Sequence, residues 1–286
     1  MDEIVALILG VIQGLTEFLP VSSSGHIELG KKILGSNLIS SENILFTVVV
    51  HFGTALSTIV VFKKDIYQLL KKAFRPSINK ENKFILNIFI SMIPAVIVGL
   101  YFEEELELLF NGNILLVGSM LIITGILLLT TKKAKENKKE MRYIDSVIIG
   151  ISQAFAILPG ISRSGATIST SLILGINKQD AAKFSFLMVI PLIIGKIFKD
   201  VFFNKDISYD NMDLNVFIIG FFSSFITGIL ACKWMMKLVK GNKLNYFAYY
   251  CFFVGTLAII STRFEGNVII EKPQDIINHE SELLKT

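Results

Sequence analysis

Charge, cysteine and proline are all scarce in this chain of 286 residues, which has 18% charged residues, two Cys and six Pro. An average soluble domain carries about 25% charged residues. Here 52% of residues are hydrophobic, 23 of them Phe, and the mean hydropathy is +0.61. A soluble fold cannot hide that much apolar surface, whereas a bilayer acts as a solvent for it. Cys232 and Cys251 both lie in apolar stretches without metal-ligand spacing, which excludes a disulfide framework and a cysteine-built metal site. Asp2 and Glu3 precede the first apolar run, where a cleaved signal would need Lys or Arg, so none is expected. The net charge of +4 is small; no nucleic-acid partner is expected, and the charges inform through their location.

What is there in abundance is long apolar segments. Six of about 20 residues run from Asn43 to Phe62, Phe84 to Phe102, Asn113 to Thr131, Ala182 to Phe203, Leu214 to Cys232 and Leu244 to Thr262. Each is long enough to cross a hydrocarbon core of roughly 30 Å. Two shorter runs, Ile4–Phe18 and Ile144–Leu158, break at Pro/Gly/Ser clusters and resume as brief helical pieces. Runs of that length are more often re-entrant or interfacial than spanning, and irregular backbone at membrane depth needs protein or a wet cavity around it. The connectors Lys63–Lys83, Lys132–Arg142 and Lys233–Lys243 are basic, while Glu103–Asn111 and Asn204–Asp213 are acidic. Positive-inside logic places the basic set in the cytoplasm and the acidic set, read as solvated loops, outside. The first hairpin then enters from the outer face and the second from the inner face, pointing at each other.

An internal repeat supports this arrangement. A shift of 140 places Gly10, Gln13, Ser22, Ser24 and Gly25 on Gly150, Gln153, Ser162, Ser164 and Gly165, and also Phe46 on Phe186 and Val49 on Val189. With small gaps, Gly99 meets Gly228 and Gly118 meets Gly255. Each half holds one hairpin and three spans, an odd number that inverts one half relative to the other. The expected fold is an all-α polytopic membrane protein of six transmembrane helices plus two re-entrant helix-loop-helix hairpins in an inverted-topology repeat. The first repeat is 1–131, a cytoplasmic linker 132–143, the second repeat 144–262, and a polar tail 263–286.

The chemistry-bearing residues gather in the hairpins. In the first, Gln13 and Glu17 are four apart and share a helix face, followed by Ser22, Ser23, Ser24, Gly25 and His26. A carboxylate in so apolar a run is costly unless paired, hydrated or bound to a cation. Glu17 can also satisfy loop backbone, and Ser22 and Ser24 can equally cap a helix starting near Ile27. The second hairpin reads Pro159-Gly160-Ile161-Ser162-Arg163-Ser164-Gly165-Ala166-Thr167. Gly160 and Gly165 allow close backbone approach to a ligand, successive N–H groups at a helix start make an anion nest, and Arg163 brings a fork suited to phosphate oxygens. Ser162, Ser164 and Thr167 add hydroxyl donors. Arg163 can also pair with Glu17 to hold the hairpins together, a role compatible with a site. His51 lies within a span, Lys183 near the start of the fourth span can snorkel to the inner interface, and Lys196 is spaced to pair with Asp200.

These motifs resemble the undecaprenyl-diphosphate phosphatase family associated with bacitracin resistance. That family is marked by a (Glu/Gln)-x-x-x-Glu motif, an S-S/T-x-G-H loop and a P-G-x-S-R-S-G-x-T loop, matched here by Gln13–Glu17, Ser22–His26 and Pro159–Thr167. The likeness runs to about Thr262. Gln13 leaves Glu17 as the single carboxylate of the first motif, against a mechanism needing two. The resemblance implies hydrolysis of a polyisoprenyl pyrophosphate to its monophosphate with a divalent cation, Mg2+ or Ca2+, recycling the lipid carrier for cell-wall synthesis. On this reading Arg163, Ser162 and Thr167 clamp phosphate, with Gln13, Ser164, Gly160 and Gly165 lining the substrate. Glu17 serves as metal ligand or base. Ser23 and His26 are nucleophile and activator or donors to an attacking water. The implied location is the bacterial inner membrane, and the charge of the connectors, by which the hairpin with Glu17 and His26 opens outward, predicts a site open to the outer face. A homodimer is compatible with the chain, which defines no oligomeric state. The rival classes are a lipid flippase or transporter built on the inverted repeat and a structural membrane scaffold.

Overall fold

The computed structural model describes residues 2–34, 40–73, 79–109, 112–134, 139–203, 213–241 and 243–269. Twelve α-helices account for nearly all of them: α1 Glu3–Phe18, α2 Ser23–Ile33, α3 Ser40–Val61, α4 Lys63–Ala73, α5 Lys80–Tyr101, α6 Glu103–Leu109, α7 Ile114–Thr130, α8 Tyr143–Phe155, α9 Arg163–Ile173, α10 Lys178–Phe203, α11 Leu214–Lys240 and α12 Asn245–Ile269. No β-strand occurs among the described residues; a lone parallel bridge joins Lys139 and Ile176. The six long apolar segments fall in α3, α5, α7, α10, α11 and α12. By length and composition α5, α10 and α11 are each sufficient to cross a membrane, and α3 joins α4 across a 77° bend. This is a multi-pass, all-helical membrane protein. The acidic stretch after α5 is a short helix, α6, rather than a loop, with Glu104 and Glu105 exposed. Three expectations, on residues 204–212, on the tail after 269 and on the Asp200 side chain, lie outside the described residues.

The distribution of polarity is that of a protein dissolved in lipid. Leu86, Phe89, Ile93 and Ile97 make an exposed apolar ridge along α5, and Ile218, Phe222, Ile226 and Leu230 do the same on α11. The interior holds Thr54, Ser57, Thr58, Ser91, Thr124 and Ser224 alongside the Phe18, Phe62 and Phe186 cluster. Without a hydrophobic drive between helices in lipid, association relies on close packing of small residues. Gly14 of α1 meets α11 so closely that a Cβ would sit 2.6 Å from the Ser224 carbonyl oxygen. Gly118 of α7 and Gly255 of α12 face each other, each leaving 2.7–2.8 Å to the other's carbonyl oxygen for an added Cβ. The buried hydroxyls cost little because most return a hydrogen bond to their own helix, as Ser57 and Thr58 do to Thr54.

A charge cluster fixes the start of α8. Asp145, buried in its first turn, accepts from the Arg142 backbone and guanidinium and from Lys139 Nζ. Burial raises the carboxyl's pKa, but these donors outweigh it and hold the group at about 2. The clamp is therefore present above the ordinary carboxylate range and is lost only as pH falls through that value. At the start of α10, Lys183 pairs with Asp65 at 2.5 Å and lies over the Phe84 ring, an ion pair in place of simple snorkelling.

Candidate active site

Both hairpins are built by the same local rules. Pro20 forces its predecessor out of helix, and Leu19 is indeed extended, so α1 stops at Phe18. Ser22 then takes φ 70°, the one non-glycine residue with positive φ among those described, and its Oγ accepts from Gly25 N to start α2. In the second hairpin α8 ends before Pro159, Gly160 takes φ 97°, and Ser162 Oγ accepts from Gly165 N to start α9. Ser22 and Ser24 hydroxyls lie 3.3 Å apart, as do those of Ser162 and Ser164.

The two tips meet. Arg163 Nη2 donates to Glu17 Oε1 at 2.5 Å, Arg163 Nη1 donates to the Ser185 carbonyl at 3.0 Å, and Ser164 Oγ donates to the Leu19 carbonyl at 3.2 Å. Glu17 Oε2 accepts from Gln13 Nε2 at 3.0 Å and from Ser23 Oγ at 2.9 Å. His51 Nε2 stands 4.0 Å from the same oxygen, its Nδ1 donating to the Thr47 carbonyl at 2.7 Å. Glu17 is 7% exposed and Gln13 fully buried, so the carboxylate is held by donors rather than by water. That is the condition under which a buried acid can stay ionised.

The remaining residues of the expected phosphate clamp are engaged in packing and in hydrogen bonds within the protein. The close approach at Gly160 is to α7, where a Cβ would meet the Val117 carbonyl oxygen at 2.5 Å, and at Gly165 it is to Ser162 and Pro20. Ser162 donates its N–H to Thr124 Oγ1 and spends its hydroxyl on the cap. Thr167 Oγ1 sits 2.9 Å from the Arg163 carbonyl and 2.6 Å from Ser185 Oγ. Ser162, Ser164 and Thr167 are all buried. Of that set, only Arg163 reaches the acid. Ser23 and His26 bond different partners: Ser23 donates to Glu17, while His26 bonds the Ser22 carbonyl through Nδ1 and Tyr250 through Nε2, both at 2.8 Å.

Three further residues touch this cluster: His51 beside Glu17, Ser185 beside Arg163 and Thr167, and Tyr250 beside His26. A lone histidine in an apolar span was a signal for the first. For Tyr250 the signal was a phenol in a lipid-facing helix, which must find a partner; Ser185 carried none.

The fit of a cation is decided by the donor set. Among the described residues no three His, Cys, Asp or Glu side chains cluster. Gln13 Oε1, however, is buried without a partner, beside the Glu17 carboxylate and the Ser23 hydroxyl. These are hard oxygen donors, too few for a protein-only cage. They suit an ion such as Mg2+ that takes its other oxygens from phosphate and water.

Fold and site together define a multi-pass membrane protein whose two hairpin tips bury an acid–arginine centre suited to an anionic group. Comparison with known proteins gives the family. The family model for bacitracin resistance protein BacA matches residues 6–257, and the chain belongs to that family. It is similar to an undecaprenyl-diphosphatase of Christiangramia forsetii, 57% identical over 91% of this chain and 98% of the relative. One from Bacteroides fragilis is 46% identical over 93% and 100%, and one from Methanococcus vannielii 38% identical over 88% and 98%.

Proposed function

We propose that this chain is an undecaprenyl-diphosphate phosphatase: water and the lipid pyrophosphate give the lipid monophosphate and inorganic phosphate. The observation that carries the reading at the site is the Glu17–Arg163 pair at the meeting of the two tips. Arg163 is anchored through one arm to the Ser185 carbonyl, so its other arm can exchange the Glu17 oxygen for a phosphate oxygen without moving. Phosphate on Arg163 releases Glu17 Oε1. Glu17 then accepts a proton, either from the Ser23 hydroxyl already directed at it or from the attacking water. The guanidinium offsets the charge that develops on the transferred phosphoryl oxygens. Glu17 and the Gln13 amide oxygen would hold a divalent cation, Mg2+ or Ca2+, which supplies Lewis-acid polarisation of those oxygens when bound. The bacitracin resistance in the family name attaches to the same activity, which returns the carrier to cell-wall synthesis.

The six-span inverted arrangement, the inner-membrane location and the outward-facing site are part of this reading, supported by the charge of the connectors. Purified chain in detergent, given isoprenyl pyrophosphate and Mg2+, should release phosphate; binding without release would favour a flippase. In sealed vesicles with a substrate that cannot cross, right-side-out vesicles should hydrolyse it and inverted ones should not until permeabilised. Single cysteines at Glu105 and Lys240 report the sides independently. Only the first should label with an impermeant thiol reagent in intact cells, and labelling of the second would overturn the inverted arrangement.

A further inference from the structure

The imidazole of His26 has no open position. Its Nδ1 lies 2.8 Å from the Ser22 carbonyl oxygen, which can only accept, so Nδ1 carries the proton. In the neutral ring Nε2 is then the bare nitrogen, and the Tyr250 hydroxyl donates to it at 2.8 Å. The two rings lie nearly parallel, 13° between planes. The carbonyl that orients Nδ1 belongs to Ser22, the residue held at φ 70°, a conformation that persists only where surroundings impose it. The next residue of α12 grips the same tip: Cys251 Sγ donates to the Pro20 carbonyl at 3.7 Å. Tyr250 itself remains 43% exposed on the outward face of α12. It thus stands between His26 and the protein surface at the level of the hairpin tip.

We propose that Tyr250 is the positioning residue of His26. Its hydroxyl fixes the ring with the Nε2 lone pair directed toward α12, and α12 holds the first hairpin's tip in register through the adjacent Cys251 contact. The proposal rests on His26 being part of the phosphatase site. Tyr250 touches His26, not the phosphate, and acts through the ring. Any water or phosphate group that reaches Nε2 does so by replacing the phenol, so the Ser22 carbonyl sets the tautomer at rest and the Tyr250 hydroxyl the direction from which His26 is met.

Tyr250→Phe keeps the ring and removes the hydroxyl. Full-length protein in detergent should lose about tenfold in kcat with isoprenyl pyrophosphate and Mg2+, a part of the roughly 10²–10⁴-fold that a positioned acid–base group contributes, since His26 itself remains. KM should stay within about twofold, with an unchanged melting temperature. In protein carrying 15N-histidine, the His26 Nε2 resonance should lose its hydrogen-bond shift. Adding Tyr250→Phe to His26→Gln should cost nothing further. Wild-type kcat with an unaltered Nε2 resonance would overturn the proposal, as would an equal loss in the His26→Gln background. If wild-type protein releases no phosphate, the phosphatase reading fails instead, while the resonance still reports on the pair.

Discussion

The two hairpins share a backbone and divide the chemistry. Each breaks at a proline, starts its second helix with a serine whose hydroxyl caps a glycine N–H three residues on, and carries a second serine hydroxyl 3.3 Å from the first. Each also buries a glutamine amide oxygen without a partner, Gln13 and Gln153. Yet where one hairpin has Glu17, Ser23 and His26, the positions 140 residues later hold Ile157, Arg163 and Ala166. The acid and the histidine sit on one tip and the arginine on the other, so neither hairpin is a site alone. Facing tips of opposite charge are joined by the Glu17–Arg163 pair, and on the proposed reading an anion competes with Glu17 for the arginine. A duplicated hairpin with duplicated chemistry would set like charges against each other.

The sharpest way to break this division of labour is to remove the acid. Glu17→Gln removes the charge opposite Arg163 and leaves a single amide oxygen where two carboxylate oxygens accept from Arg163 and Ser23. Phosphate release should fall at least about 100-fold, the scale of a lost acid–base group. A buried pair broken on one side costs about 3–5 kcal/mol, so melting in detergent should also fall. On the other tip, Arg163→Lys keeps the charge but cannot bond Glu17 and the Ser185 carbonyl from one planar fork. A loss of at least about tenfold in kcat is expected; near-normal turnover would reduce Arg163 to a strut between hairpins.

A milder change tests what the glutamine is for. Gln13→Glu places a second carboxylate beside Glu17 where the amide oxygen now lacks a partner. Two hard anionic donors bind a divalent cation more tightly than one. Turnover at saturating Mg2+ should stay within about threefold of wild type, while the Mg2+ concentration for half-maximal rate falls. EDTA should silence both proteins. If neither EDTA nor added Mg2+ or Ca2+ changes the wild-type rate, the cation has no place in the mechanism.

Local rules made the hairpins legible and tertiary packing hid the rest. Gln13 and Glu17, four apart, do share a helix face and bond at 3.0 Å, and the Ser-x-x-Gly caps follow from residue type. The pairing of Glu17 with Arg163, weighed from sequence as a strut or a site, is present. What sequence could not supply is which neighbour a close-packed glycine faces. Gly160 and Gly165 read as room for a ligand, and in the direction a Cβ would take it is α7 and Pro20 that approach them. His51 and Tyr250 reach the tips from α3 and α12 through contacts set by helix rotation, to which a periodic apolar pattern is blind.

The smallest expected effects separate the two caps. Ser22→Ala and Ser162→Ala each delete the same hydrogen bond, to Gly25 N and Gly165 N, at about 0.5–2 kcal/mol apiece. For Ser162 that should be the whole effect: its N–H still reaches Thr124, and kcat per folded molecule should stay within about twofold while melting drops. Ser22 is different because it sits at φ 70° and its carbonyl orients His26. Alanine there keeps the strained backbone and loses the hydroxyl that helps hold it, so kcat should fall together with melting. Ser22→Gly removes the same hydroxyl yet adopts positive φ without strain, and should recover melting toward wild type. Matched melting curves and phosphate-release rates for the three variants decide the matter. A Ser162→Ala protein that melts normally but turns over slowly would mean that the hydroxyl meets substrate after all, and that the second tip opens further than its resting packing shows.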